Sequence, residues 1–269
     1  MDVEKIPLER FPGIAQIQGL LGKYYERKLF AEVVNVGKMP KHIAIILDGN
    51  RRYASVKGLK KLEGHVFGAK KLEEVIGWCQ ELGINHITVY AFSTENFTRD
   101  KGEVKLLMDL LTRKFKEVAK DSRVHNYKIR VKAIGNLKSL PESVQKAINE
   151  AQGATSAYDG HTLNIAVGYG GRAELAEAVR KICNQIKKGK ISPKDVDENL
   201  INDYLYTAGL PDPDLVIRTS GEERLSGFLL WQSAYSELYF CEANWPAFSK
   251  IDFLRAVRNY QGRERRFGK

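Results

Sequence analysis

The chain has 269 residues, of which 43% are hydrophobic, 28% charged and 10% aromatic. That composition excludes a disordered or fibrous chain, and the length allows a large core without metal or disulfide staples. There are 43 Lys and Arg against 33 Asp and Glu, leaving a net charge of +10, and such a surface attracts nucleic acid, phosphorylated metabolites or an acidic membrane face.

The first residues, Met1-Asp2-Val3-Glu4-Lys5, are charged and lack an apolar signal core, so the expected location is the cytoplasm. The longest run without Asp, Glu, Lys or Arg, residues 82–94, has 13 residues. A membrane-spanning helix needs ~20. Residues 1–36 read as an N-terminal helical arm. Within 11–34, Ile14, Ile17, Leu20, Leu21, Tyr24 and Leu29 form an apolar stripe beside basic residues. Two readings stay open: a helix packed on its own domain, or one lying on a membrane surface.

Residues 37–269 show no linker and read as one domain. Short apolar runs occupy 42–47, 87–92, 129–134, 163–167, 215–217 and 237–240. Several are β-branched and apolar on both faces, as strands buried in a parallel sheet are. Helical spacing predicts helices over 64–82, 102–120, 141–152, 173–187, 197–207 and 250–260. Gly83 and Gly189 serve as stops, and Pro141 suits a first turn. The alternation predicts an α/β fold with a single open, mainly parallel six-stranded sheet flanked by helices. Ligands in such sheets bind beyond the carboxyl ends of the strands.

The first strand is followed by Asp48-Gly49-Asn50-Arg51-Arg52. The carboxylate suits Mg²⁺, the glycine lets backbone approach a ligand, and the arginines suit a diphosphate. The same letters also describe a solvated polar turn. The second strand leads into Ser93-Thr94-Glu95-Asn96-Phe97-Thr98-Arg99, a mixed loop that suits either an active site or a helix cap. The fifth leads into Arg218-Thr219-Ser220-Gly221-Glu222-Glu223-Arg224-Leu225-Ser226, two cations and several hydroxyls around one glycine, as at an anion site. Cys79, Cys183 and Cys241 are odd in number and far apart, so reduced thiols are expected. Neither G-x-x-x-x-G-K-[ST] nor G-x-G-x-x-G occurs, and there is no H-E-x-x-H. No nucleic-acid motif accompanies the charge. The residues alone thus indicate a Mg²⁺-dependent enzyme with two anion sites.

Several segments occur in a fixed order: His42-x-Ala44-x-x-x-Asp48-Gly49-Asn50-x-Arg52, Gly64-His65, Tyr90-Ala91-Phe92-Ser93-x-Glu95-Asn96, and Leu163-Asn164-Ile165-Ala166 with Tyr169-Gly170-Gly171-Arg172. Asp214-Leu215-x-Ile217-Arg218-Thr219, Phe228-Leu229-Leu230-Trp231-Gln232, Glu237-Leu238-Tyr239-Phe240 and Arg263-Glu264-Arg265-Arg266-Phe267-Gly268 follow. Together they resemble the cis-prenyltransferase family, the undecaprenyl and dehydrodolichyl diphosphate synthases. Tyr53 and Phe97 stand where bacterial relatives usually have Trp, and Lys61 where they have Arg. Arg51 and Ser220 replace Gly, and Glu223 replaces His. These variants look more like archaeal or eukaryotic members.

The resemblance implies condensation of isopentenyl diphosphate with an allylic prenyl diphosphate, geranylgeranyl or farnesyl, to a long polyprenyl diphosphate used as a glycosyl carrier lipid. It implies Mg²⁺ as cofactor, held by Asp48 with Glu237 as a second carboxylate. Gly49, Asn50, Arg51, Arg52, Tyr53, Lys61 and His65 would bind the allylic substrate. Ser93, Thr94, Glu95, Phe97 and Arg99 complete the substrate loop, and Asn96 occupies the proposed proton acceptor's position. Arg218, Arg224 and Ser226 would hold isopentenyl diphosphate, with Arg266 and Gly268 reaching across a homodimer. An apolar tunnel would take the chain, with Ala91 leaving room and Leu106, Leu107, Leu110 and Leu111 as candidate walls. A peripheral membrane contact suits the lipid product; nucleic acid is not an expected partner. A short-chain or irregular prenyltransferase and a non-catalytic partner subunit are the alternatives.

Overall fold

The computed structural model describes residues 14–263. Its strands are β1 (His42–Ile46), β2 (His86–Ser93), β3 (Ile129–Ile134), β4 (His161–Tyr169), β5 (Leu215–Arg218) and β6 (Glu237–Phe240). They form one sheet in the order β3-β4-β2-β1-β5-β6, and every pairing is parallel. The expected open sheet is therefore present, and it is parallel throughout. β1 explains why its sequence shows no alternation. Ile43 and Ile45 face the larger core, while Ala44 and Ile46 face a smaller one with Tyr90, Tyr169 and Phe228. With both faces covered, neither parity of the strand carries a polar row.

The helices are α1 (Ile14–Val36), α2 (Asn50–Val56), α3 (Lys61–Glu81), α4 (Lys101–Val118), α5 (Ser122–Asn126), α6 (Glu142–Thr155), α7 (Gly171–Lys187), α8 (Glu198–Tyr204) and α9 (Lys250–Gln261). The six helical patterns expected after residue 37 correspond to α3, α4 and α6 to α9. Helices α2 and α5, of 7 and 5 residues, are additional to these. Gly83 stops α3 as expected. At φ 68° it donates to the Gln80 carbonyl while Ile84 donates to that of Cys79, the paired bonds that close a helix through a left-handed residue. Pro141 caps α6 from just outside, rather than occupying its first turn.

The second half of α1 packs on α9. Leu29 and Val33 are buried in the main core, and Gln261 donates to the Val33 carbonyl at 2.8 Å. Leu20, Leu21 and Tyr24 remain exposed. The side chains of Ile14 and Ile17 fall outside the described residues. Cys79 and Cys241 are buried free thiols, and Cys183 is an exposed one.

Candidate active site

The chain leaves β1, β2 and β5, neighbours at the centre of the sheet, on the same side. The segments after them meet there. Asp48 is fixed by its backbone, whose carbonyl accepts from Thr219 Oγ1 at 2.7 Å and from Trp245 N at 2.9 Å. Its carboxylate accepts from Gly49 N at 2.7 Å and from Arg218 Nη2 at 2.8 Å. Gly49 has φ 96°, and a Cβ there would lie 2.5 Å from Asn244 Oδ1, so this turn demands glycine. Arg218 is almost fully buried and also donates to Ser226 Oγ at 2.8 Å and to the Arg224 carbonyl. Its Nε is buried without a partner.

Helix α2 carries Arg51 and Arg52 over the same floor. Gly64 and Gly68 of α3 let α2 approach closely, since a Cβ on Gly64 would stand 2.2 Å from the Asn50 carbonyl oxygen. Arg52 donates to the Ser220 carbonyl and Oγ, both at 2.7 Å, and pairs with Glu222. Glu222 also pairs with Arg224, so one carboxylate joins the cations of two segments. Arg51 and Arg99 share Glu103 in the same way, at 3.8 and 3.3 Å. These two glutamates are absent from the sequence-based site. The Arg99–Glu103 spacing of four residues was a readable signal; the partners 170 and 52 positions apart were not.

A cavity of about 1130 Å³ opens here. Its polar end is lined by Asp48, Gly49, Asn50, Arg51, Arg52, Lys61, His65, Ser93, Glu95, Asn96, Arg99, Arg218 and Ser226. His65 Nε2 is buried and unpartnered. Burial, then the nearby Arg99, lowers its pKa to about 4, although Glu103 opposes the shift. The ring is therefore neutral at pH 7, and an arriving anion would favour its protonation. Asn96 Oδ1 accepts from Ser93 N at 3.1 Å, as the cap of the turn over 94–98. The cavity continues between α3, α4 and the sheet along Leu72, Leu107, Leu110, Leu111, Phe115 and Leu163. Ala91 also lines it, at a register shift in β2.

Other expected residues lie elsewhere. Tyr53 packs edge-on against Phe67, and Phe97 against Phe92. Thr94 lies against Gly170. Neither these three nor Arg224 lines the cavity. Leu106, expected as a tunnel wall, is exposed and does not line the cavity. Glu237 is the main correction. It opens β6, whereas Asp48 follows the end of β1, so the two lie at opposite ends of a parallel sheet. The offset is about five residues of strand rise, roughly 16 Å. Glu237 pairs instead with Arg263 at 2.7 Å. Arg266 and Gly268 lie outside the described residues.

The Mg²⁺ ion that the resemblance implies needs oxygen donors. Among the described residues no group of three or more His, Cys, Asp or Glu is arranged to hold a metal. The described residues offer no all-protein cage, but Asp48 stands partly exposed among cations at the cavity floor. A single carboxylate suits Mg²⁺ completed by substrate phosphates and water, so the residues fit the ion.

Residues 46–268 match the family model described as "Putative undecaprenyl diphosphate synthase". A protein of Methanocaldococcus jannaschii named tritrans,polycis-undecaprenyl-diphosphate synthase (geranylgeranyl-diphosphate specific) is 54% identical over 249 residues, 92% of this chain and 89% of its own. The protein of that name from Thermococcus kodakarensis is 55% identical over 245 residues, 91% of this chain and 92% of its own. Among solved structures, lavandulyl diphosphate synthase from Lavandula x intermedia, in complex with dimethylallyl diphosphate, superposes with a TM-score of 0.80 at 39% identity. It matches 86% of this chain and 99% of its own. A probable undecaprenyl diphosphate synthase from Campylobacter jejuni gives 0.70 at 32%, with the same coverage. With the motifs in order, the parallel sheet and these relatives in agreement, the chain belongs to the cis-prenyltransferase family, of archaeal type, and is a prenyl-transferring polyprenyl diphosphate synthase.

Proposed function

We propose that the enzyme condenses isopentenyl diphosphate with geranylgeranyl diphosphate, repeatedly, to a long-chain polyprenyl diphosphate that serves as a glycosyl carrier lipid. One observation carries the reading: a single cavity has a cationic head beside Asp48 and an apolar tail between α3 and α4. The cations match a diphosphate, and the apolar tail is a tunnel for the prenyl chain. The archaeal relatives named as geranylgeranyl-specific support that primer.

In the reaction the allylic carbon–oxygen bond breaks and diphosphate leaves with the electron pair. The double bond of isopentenyl diphosphate forms the new carbon–carbon bond, and a proton then leaves to restore a double bond, cis. Arg51, Arg52, Lys61 and His65 bind the allylic diphosphate and take up charge as it departs. Arg218, Arg224 and Ser226 hold isopentenyl diphosphate. Asp48 would hold Mg²⁺, which when bound supplies further neutralisation of the diphosphate. Asn96 orients diphosphate or water through its amide nitrogen. The active form is a homodimer completed by Arg266 and Gly268. The protein works in the cytoplasm, and exposed Leu20, Leu21 and Tyr24 on α1 suit contact with the membrane that receives the product.

The likeness to lavandulyl diphosphate synthase favours a second reading, irregular coupling. Incubation with Mg²⁺, labelled isopentenyl diphosphate and each of dimethylallyl, geranyl, farnesyl and geranylgeranyl diphosphate separates them. A ladder of cis products, longest from geranylgeranyl diphosphate, is expected; one short or branched product overturns the elongating reading.

A further inference from the structure

Helices α2 and α3 wall the cavity with one face and meet solvent with the other. His65, Gly68, Ala69 and Leu72 of α3 line the cavity. Val66, Phe67 and Lys70 fall on the opposite side of a helix of 3.6 residues per turn, and all three are exposed. On α2, Arg51, Arg52 and Ser55 line the cavity, while Val56 is 80% exposed. The Tyr53 ring, outside the cavity lining, lies 5.9 Å from that of Phe67 and links the two helices.

This outer face is basic as well as apolar. Residues 50–70 hold six Lys and Arg against one Glu, so 21 residues carry half of the chain's net charge of +10. Arg51, Arg52 and Lys61 line the cavity. Lys57, Lys60 and Lys70 do not; all three are exposed, and none makes an ion pair among the described residues. Glu63 is turned to the backbone, where it accepts from Lys60 N at 2.8 Å. Helix α1, by contrast, mixes three cations with two acids. Unpaired lysines around exposed valine and phenylalanine suit a surface that is apolar within and anionic at its boundary.

We propose that the α2–α3 face, with Val56, Val66 and Phe67 among Lys57, Lys60 and Lys70, docks the enzyme on a bilayer of anionic lipids. The inference rests on the chain-elongation reading, whose product has a long apolar tail. The apolar side chains enter the boundary between headgroups and acyl chains, and the lysines meet the headgroup phosphates. Docking therefore depends on lipid charge and weakens in salt. The docked face is one helix, about 10 Å, from the cavity, which sets the channel beside the phase that takes the product.

Sedimentation of the full chain with vesicles of phosphatidylcholine, with and without phosphatidylglycerol, tests this. Wild type is expected to prefer the anionic vesicles and to come off them in high salt. Lys57→Gln/Lys60→Gln/Lys70→Gln should weaken anionic binding at least about tenfold and abolish the preference. Val56→Ser/Val66→Ser should weaken binding at least about threefold. Both variants should unfold in urea like wild type and keep the first condensation, in detergent solution, within about twofold. If the triple variant fails to fold, Lys70→Gln alone decides, by its loss of part of the preference. Leu20→Ser/Leu21→Ser, on α1, should leave the preference intact. Wild type without the preference overturns the proposal, as does a folded lysine variant that keeps it. Loss of the preference in the α1 variant alone assigns the contact to α1 and overturns it too. So does a wild type that ignores vesicles while Val56→Ser/Val66→Ser alters its oligomeric state, which gives the face to a second copy. Wild type that stops after one addition in detergent solution overturns the elongation reading instead, a result read without vesicles.

Discussion

Arg218 reaches from the end of β5 to the carboxylate of Asp48 beyond β1, 2.8 Å away, so the cation of one strand-end segment neutralises the acid of another. The guanidinium is 4% exposed and the carboxylate 35%. Asp48 is thus both a metal-binding candidate and the partner of a buried charge. Asp48→Ala is expected to lower turnover by about 10²- to 10³-fold. It is also expected to destabilise the fold by about 1–3 kcal/mol, because it strips a buried donor of its acceptor. Product assays and urea unfolding read the two effects separately. Chelation should abolish wild-type turnover and added Mg²⁺ restore it; turnover that survives chelation would end the proposed metal role.

The approach of α2 to α3 makes a second, local prediction. A Cβ on Gly64 would lie 2.2 Å from the Asn50 carbonyl oxygen and 3.0 Å from Ala54 Cβ. Gly64→Ala must push α2 outward and carry Arg51 and Arg52 with it. The expected cost is about 1–3 kcal/mol, with a higher KM for the allylic substrate than for isopentenyl diphosphate. Gly77, on the same helix with nothing within 4 Å, is the contrast. Gly77→Ala should stabilise by roughly 0.5–1 kcal/mol and leave both KM values alone.

His42 makes the stability pH-dependent. Its ring is fully buried, with one nitrogen 2.7 Å from the Pro211 carbonyl and the other 2.7 Å from Thr88 Oγ1. Burial lowers its pKa to about 4, outweighing the Pro211 carbonyl, which raises it. The unfolded chain takes up this proton near pH 6.5, before the native one does. Stability is therefore full above about pH 6.5 and falls as pH drops toward 4. At 1.36 kcal/mol per unit the loss is about 3 kcal/mol. Urea unfolding between pH 7 and 4.5 should show it, and His42→Asn should flatten the slope. An equal slope in the variant would assign the effect elsewhere, His65 first.

What could be read from the sequence was whatever lies along the chain. Asp48, Ser93 and Arg218 each follow a recognisable strand, and a parallel sheet brings its strand ends to one side, so their convergence followed from the pattern. What failed was direction and distance. Glu237 opens the run read as a strand over 237–240, so the pattern itself put it at the far end of the sheet from Asp48, and only the resemblance joined the two. Leu106 lies in a leucine-rich stretch whose neighbours face the cavity, yet its own position on α4 turns it to solvent. Glu222 joins Arg52 to Arg224, and Glu103 joins Arg51 to Arg99, through side chains brought together only by folding.

Asn96 tests the proton-transfer step. Its carbonyl oxygen already accepts from Ser93 N, and a carboxamide is a very weak base. The side chain's remaining polar group is the amide nitrogen, a donor suited to a diphosphate oxygen or a water. Asp in its place caps Ser93 N equally well but, ionised, donates nothing and repels the substrate's charge. Asn96→Asp is therefore expected to unfold in urea like wild type while losing at least about tenfold in kcat/KM. Asn96→Ala should lose the cap as well, at about 1 kcal/mol. If the side chain were the base, a carboxylate would serve at least as well as the amide. An Asn96→Asp enzyme as fast as wild type, with an acid limb near a carboxyl pKa, would then assign the proton to residue 96.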